Sequence, residues 1–260
     1  MKDSPKKTGS HDDPLTDFGF HKVYTKEKTA LIRKLFQRVS PFYDRMNDIM
    51  SLGMHRMWKA SAVNLISASP GAKLLDLAGG TGDISNMFLK QVQGNATAVI
   101  LDITPEMIHQ GIKNNEKIPF ANSITWICGD AAKIPFPDKS FDIVTIAFGI
   151  RNVLCIDNVL QEAYRVLKPH GGQFICLEFS HVSSPILKYI YDQYSMKIIP
   201  SIGAMCFKEH DGYQYLVESI RKFPDQEALL QKIISAGFKY ARYSNLSSGI
   251  AALHMGWRVI

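Results

Sequence analysis

A chain of 260 residues, 46% of them hydrophobic, is long enough to bury a full core and suits one decorated α/β domain. No run approaches twenty uninterrupted apolar residues, which excludes a membrane-spanning helix, and the opening MKDSPKKTGSHDDP lacks the apolar core of a signal peptide. The formal charge of +6 comes from scattered lysines and arginines without interleaved aromatics, so it argues against a nucleic-acid groove and for mild steering toward an anionic surface, or simply a solvated one. Cys128, Cys155, Cys176 and Cys206 lie far apart, with neither zinc spacing nor a disulfide framework. A reducing compartment and no metal site are expected.

In chain order, residues 1–16 are predicted to form a disordered arm and 17–260 a single domain. Residues 17–70 read as a helical cap, with a helix over roughly 26–39 that Pro41 ends. The methionine-rich stretch that follows carries Tyr43, Asp44, Asn47, Ser51, His55 and Trp58. Such residues at helical spacing are ordinarily core, and they also suit the wall of an aromatic-substrate pocket. KLLDLAGGTGD (73–83) reads as a buried strand entering a glycine turn and then a helix. Four further strands are expected: ATAVILDIT (96–104), SITWICGDA (123–131), FDIVTIAFGIRN (141–152) and GGQFICLEFS (171–180). Strands alternating with helical stretches imply a parallel sheet. The apolar segment 184–203 is either an ordinary outer helix or, with its neighbours over 181–212, a substrate lid. Two helices divided at Pro224, the second capped by Asp225, and two closing antiparallel strands complete the chain.

The glycine turn decides what kind of ligand belongs there. A dinucleotide fingerprint counted from Gly80 and Gly82 needs a third glycine at position 85, which is Ser85. Asp76 ends the strand and Asp83 opens the helix, where they would repel a pyrophosphate. A ligand without phosphates and with positive charge fits, as S-adenosylmethionine (AdoMet) does.

The acid, two variable residues and Gly-Gly-Thr-Gly-Asp resemble the AdoMet-binding loop of class I methyltransferases. YDRMNDIMSLGMHRMW (43–58) resembles the first signature of the UbiE ubiquinone/menaquinone biosynthesis methyltransferases. RVLKPHGGQFICLEFS (165–180) resembles their second, with His170 as one extra residue, and FGIRN (148–152) and the Thr16–Phe20 stretch also match. The resemblance covers nearly the whole chain after the arm. It implies a Rossmann-like α/β fold, a seven-stranded, mostly parallel sheet with helices on both faces. It also implies AdoMet as cofactor, with Asp76, Gly80, Thr81 and Gly82 around the methionine part, Asp102 on the ribose, and Asp130 with the Ala131 amide at the adenine. Ala147 stands where the family places a serine in that site.

The same resemblance implies carbon methylation of a polyprenylated benzoquinol in ubiquinone biosynthesis, or of demethylmenaquinol. Arg151, Asn152 and Tyr43 are the expected catalytic residues. A guanidinium does not deprotonate in a protein, so Arg151 is expected to favour an ionised phenol by its charge, with Asn152 holding a water. A salt bridge to a nearby acid is the competing role for Arg151, and plain packing for His55. A cytoplasmic protein working from the inner face of a membrane, as a homodimer or within a quinone-synthesis complex and without nucleic acid, is the expected setting. Two alternatives stay open: another small aromatic acceptor, and a non-catalytic AdoMet-binding subunit.

Overall fold

The polar amino-terminal stretch carries two short strands that its composition does not announce. In the computed structural model, which describes residues 14–40, 47, 48, 51–194 and 210–259, Leu15–Phe18 (β1) pairs antiparallel with His21–Tyr24 (β2). The arm expected over 1–16 therefore gives way to a strand at Leu15, and its residues up to 13 lie outside the described part. The hairpin feeds directly into α1 (Thr25–Val39), whose start is fixed by the Tyr24 amide donating to Glu27 at 3.3 Å.

Among the described residues the further helices and strands are α2 (Met54–Asn64), β3 (Ala72–Leu77), α3 (Asp83–Gln91), β4 (Ala96–Asp102), α4 (Pro105–Asn115), β5 (Ile124–Cys128), β6 (Ile143–Ala147), α5 (Ile156–Val166), β7 (His170–Phe179), α6 (Pro185–Gln193), α7 (His210–Lys222), α8 (Gln226–Ser235), β8 (Lys239–Leu246) and β9 (Ala251–Val259). Seven strands form one sheet in the order β5-β4-β3-β6-β7-β9-β8. The first five run parallel, and β9 is antiparallel to both β7 and β8. The order reverses between β3 and β6, so the crevice beyond their carboxyl ends is where a ligand belongs.

Alternation along the strands divides two cores. Leu74, Ile143, Ile175 and Leu253 pack with Trp58 and Phe88 of α2 and α3, whereas Leu75, Val144, Phe174 and Cys176 pack with Val159 and Ile233 of α5 and α8. All of these side chains are at most 2% exposed, which explains the unbroken apolar runs that mark the parallel strands. The two carboxy-terminal helices divide at Pro224 as the sequence implies, with the Asp225 carboxylate accepting from Ala228 N at 2.8 Å.

Three boundaries differ from expectation. The strand read over 141–152 stops at Ala147, because Phe148 turns to φ +56° and Ile150–Asn152 form a 3-10 turn. That over 123–131 is confined to Ile124–Cys128, since Asp130 turns the chain by accepting the amides of Ala132 and Lys133. The extra His170 is absorbed where β7 begins, by a register shift against β9 at the end of the strand remote from the crevice. Of the lid expected over 181–212, α6 and the start of α7 are described and 195–209 are not.

Candidate active site

The site grows out of the end of β3. Asp76, 1% exposed, accepts from Thr145 of β6 at 2.8 Å and from Ser85 of α3 at 3.1 Å. One carboxylate thus ties both neighbours of the glycine turn to the strand. Burial pushes its pKa up to about 6 against those two hydrogen bonds. The chain then reverses through Ala78 at φ +49°, Gly80 at +57° and Gly82 at +89°. Gly82 is required twice over: its φ is left-handed, and an added Cβ would lie 2.8 Å from the Trp126 ring. Asn115 of α4 donates to Thr81 O at 3.2 Å and braces the turn from the other side.

Asp102 ends β4 and accepts the amides of Gly80 at 3.0 Å and Thr104 at 2.8 Å, one on each oxygen. Burial raises its pKa, and the amide bonds oppose that rise. Each oxygen keeps a lone pair for a diol. Around it opens a cleft of about 760 Å³, counting space continuous with solvent, floored by Gly80, Asp102, Asp130 and Ala131 and walled by Phe148, Gly149 and Asn152–Leu154. Thr29, Ile32 and Phe36 of α1 form its opposite wall. A smaller pocket of about 340 Å³ continues past Ala78, Gly80 and Phe148 to Asp76, Thr81, Asp83, Lys59 and Ala147. Lys59 pairs with Asp83 at 2.5 Å.

These residues fit AdoMet. Among the described residues, the charged groups lining the two connected spaces are four carboxylates against a single ammonium, an environment for a sulfonium and an ammonium and a poor one for phosphates. Backbones also meet closely at the joint: a Cβ on Gly149 would lie 2.5 Å from the Ala78 Cβ.

Arg151 stands just behind the cleft. Its Nη1 donates to Glu178 at 2.7 Å and to Phe148 O at 2.6 Å, and its amide donates to Glu178 at 3.3 Å. The Nε edge has no hydrogen-bond partner among the described residues. Arg151 also lines an apolar crevice of about 300 Å³ with Leu35, Phe36, Val39, Tyr215 and Leu216. Asn152 lines the cofactor cleft and accepts from the Tyr215 hydroxyl at 3.1 Å.

The fold thus brings Asp76, Gly80, Thr81, Asp102, Asp130, Ala131, Ala147 and Asn152 to the connected spaces, with Gly82 in the turn behind them and Arg151 adjacent. Tyr43 and Asp44 lie outside the described residues. Of the two readings open for Asn47, Ser51, His55 and Trp58, core or substrate wall, the structure shows the first: all four are buried supports. Ser51 bonds Asn47 O and the His55 amide, His55 Nε2 lies 2.8 Å from Asp48, and Trp58 donates to Ser247 at 3.0 Å. Burial lowers the His55 pKa, with Asp48 opposing. Sequence reasoning missed Lys59, Glu178, Tyr215 and the α1 wall. Glu178 left a signal, an acid inside an apolar strand. Tyr215 left none, since one aromatic on an amphipathic helix is ordinary.

Comparison with known proteins agrees with this geometry. The model of the ubiE/COQ5 methyltransferase family matches residues 22–258. The ubiquinone/menaquinone biosynthesis C-methyltransferase UbiE of Cereibacter sphaeroides is 48% identical over 94% of this chain and 97% of its own length. The mitochondrial 2-methoxy-6-polyprenyl-1,4-benzoquinol methylase of Dictyostelium discoideum is 42% identical over 99% and 91%. Among solved structures, a SAM-dependent methyltransferase from Aquifex aeolicus superposes with a TM-score of 0.56 at 16% identity, covering 82% of this chain and 98% of that one, which bears on the fold alone. Signature, sheet order and cleft converge with these matches: the chain belongs to the ubiE/COQ5 methyltransferase family.

Proposed function

We propose that this chain is an AdoMet-dependent C-methyltransferase acting on the ring of a polyprenylated benzoquinol, 2-methoxy-6-polyprenyl-1,4-benzoquinol, and on demethylmenaquinol. The observation that carries the reading is the junction at Phe148–Asn152, where a carboxylate-lined cleft adjoins an arginine that lines an apolar crevice and whose buried Nε has no hydrogen-bond partner among the described residues. Bound in the cleft, AdoMet supplies an electrophilic methyl group on a sulfonium. Asp102 would take the ribose hydroxyls, Asp130 and the Ala131 amide the adenine, and Asp76, Gly80, Thr81, Gly82 and Ala147 would surround the methionine end.

Carbon methylation needs an electron-rich ring, which means ionising a phenol of ordinary pKa near 10. The Arg151 guanidinium lowers that pKa and holds the oxyanion in a water-poor setting. Glu178 offsets part of its charge and in return fixes its direction. Leu35, Phe36, Val39 and Leu216 offer the ring and the first prenyl unit an apolar surface. Holding the acceptor carbon in line is worth about 7–11 kcal/mol of barrier. The tail resides in a bilayer, so the protein works from a membrane surface; no described helix is long and apolar enough to cross one. Ile186 and Tyr189 of α6, exposed at 77% and 68%, supply an apolar contact for it.

The test is incubation with methyl-labelled AdoMet and each reduced quinol carrying a short tail, beside Arg151→Ala. Label on a ring carbon, lost in the variant while AdoMet binding persists, is the expected result. Tight AdoMet binding with neither quinol labelled would overturn it.

A further inference from the structure

We infer that Tyr215 is a positioning residue for the methyl transfer: its hydroxyl fixes which end of the Asn152 amide faces the cofactor cleft. This rests on the acceptor reading above. Asn152 Oδ1 takes the Tyr215 hydroxyl proton at 3.1 Å, so the carbonyl end of the amide faces α7. The NH2 end is then the one left for the cleft that Asn152 lines. An NH2 presented there donates to a phenolic or phenolate oxygen, or to the water beside it. The reverse orientation would set an acceptor against that oxygen's lone pairs, which favours the un-ionised acceptor.

The ring of Tyr215 is held as firmly as its hydroxyl. Phe18 of the amino-terminal hairpin stacks on it, with centroids 4.4 Å apart and planes at 26°. One turn further along α7, Glu218 accepts the Phe20 amide at 2.9 Å and clips the same hairpin to the same helix. Gly19 between them leaves no room for a side chain, since its Cβ would overlap the Glu218 carboxylate. Tyr215 is 7% exposed, and the hydroxyl remains a donor at every working pH because burial pushes its pKa up to about 12. The hairpin that the composition concealed is thus the backing of an active-site tyrosine, and Phe18–Tyr215–Asn152 runs from the surface strand to the cleft.

Tyr215→Phe keeps the ring and its stacking and removes only the hydroxyl. Loss of one oriented hydrogen bond predicts a fall in kcat of about three- to tenfold with KM for AdoMet unchanged, and a thermal midpoint lower by only about 2–4 °C. Asn152→Ala should lose more, and adding Tyr215→Phe to it should change nothing further, because the hydroxyl acts only through the amide. A second readout needs no turnover: the side-chain NH2 resonances of Asn152, identified by their absence in Asn152→Ala, should shift in Tyr215→Phe with AdoMet bound. A Tyr215→Phe protein with wild-type kcat, or one whose effect adds fully to that of Asn152→Ala, overturns the inference and leaves the acceptor reading standing. If the wild type labels neither quinol while the NH2 resonances shift, the orientation stands and the acceptor reading falls. Unmoved NH2 resonances overturn the orientation itself.

Discussion

Glu178 holds Arg151 twice, by a 2.7 Å bond from the guanidinium and by accepting the Arg151 amide at 3.3 Å. The two side chains are 2% and 5% exposed, so neither charge has bulk water to fall back on. A buried pair of this kind gains little net stability over a well-packed apolar pair, yet removing one partner leaves the other uncompensated. Its value here is directional. Phe148 O and Glu178 occupy Nη1, which leaves the Nε–Nη2 edge as the side that the oxyanion of the proposed reaction would use.

Glu178→Gln should therefore cost stability of about 3 kcal/mol, toward the low end for a broken buried pair because the amide oxygen still accepts one bond. Replacing both residues, as Arg151→Met with Glu178→Leu, should recover most of that loss and leave no turnover. Urea unfolding followed by tryptophan fluorescence checks both. A double variant no more stable than Glu178→Gln would mean that the cost lies in packing rather than in the unpaired charge.

Gly149→Ala probes the joint between the two halves of the sheet. The φ of Gly149 is −119°, which any residue adopts, so backbone strain is not at issue. The new methyl would instead lie 2.5 Å from the Ala78 Cβ and push the glycine turn away from the Phe148 loop. A loss of about 1–3 kcal/mol in stability and at least a tenfold loss in AdoMet affinity are expected. Calorimetric titration with AdoMet reads the second. Unchanged affinity would show that the two loops move apart without disturbing the site.

Most of the fold is legible because the parallel strands are buried on both faces, so that Leu74, Leu75 and Leu77 or Ile143, Val144 and Ile146 must be apolar, while Asp76 and Thr145 satisfy each other. The turn after β3 is equally legible, since Gly82 answers to both a left-handed φ and the Trp126 ring. What the sequence hides has a common cause. β1 and β2 are short, half-exposed and without alternation, and their tertiary partners Tyr215 and Glu218 lie nearly 200 residues away. Trp58 and His55 look like site residues because aromatic and ionisable side chains in fixed order suit either a pocket or a packed helix start. Only the partners Ser247 and Asp48 distinguish the two.

Asp102→Asn keeps the shape of the side chain at the end of β4 and removes one acceptor. The native oxygens each accept a backbone amide, from Gly80 and Thr104, so an Asn NH2 must face one of those donors. An orphaned amide costs about 1–3 kcal/mol, and the diol loses a charged acceptor as well. AdoMet affinity should fall by roughly 10²-fold, and the thermal midpoint should drop even without ligand. An apo midpoint equal to that of the wild type would mean that neither amide depends on the carboxylate.

Asp76 gives the site a pH dependence with a definite sign. Its folded pKa of about 6 lies above the unfolded value near 3.9, because burial penalises the anion. Its contribution to stability is fully present below about pH 4 and is lost as pH rises through 6, a difference of roughly 2–3 kcal/mol. A cation bound in the pocket that Asp76 lines favours the carboxylate and pulls its pKa down. AdoMet binding should then release a proton near pH 5.5, and affinity should rise between pH 5 and 7. Titrations in two buffers of different ionisation enthalpy measure the proton directly. Asp76→Asn should bind more weakly at pH 7, release no proton, and flatten the fall in stability across the same window. A wild type whose AdoMet affinity is level from pH 5 to 7 would put the ammonium out of electrostatic reach of Asp76 and leave that carboxylate with the purely structural task of joining β3, β6 and α3.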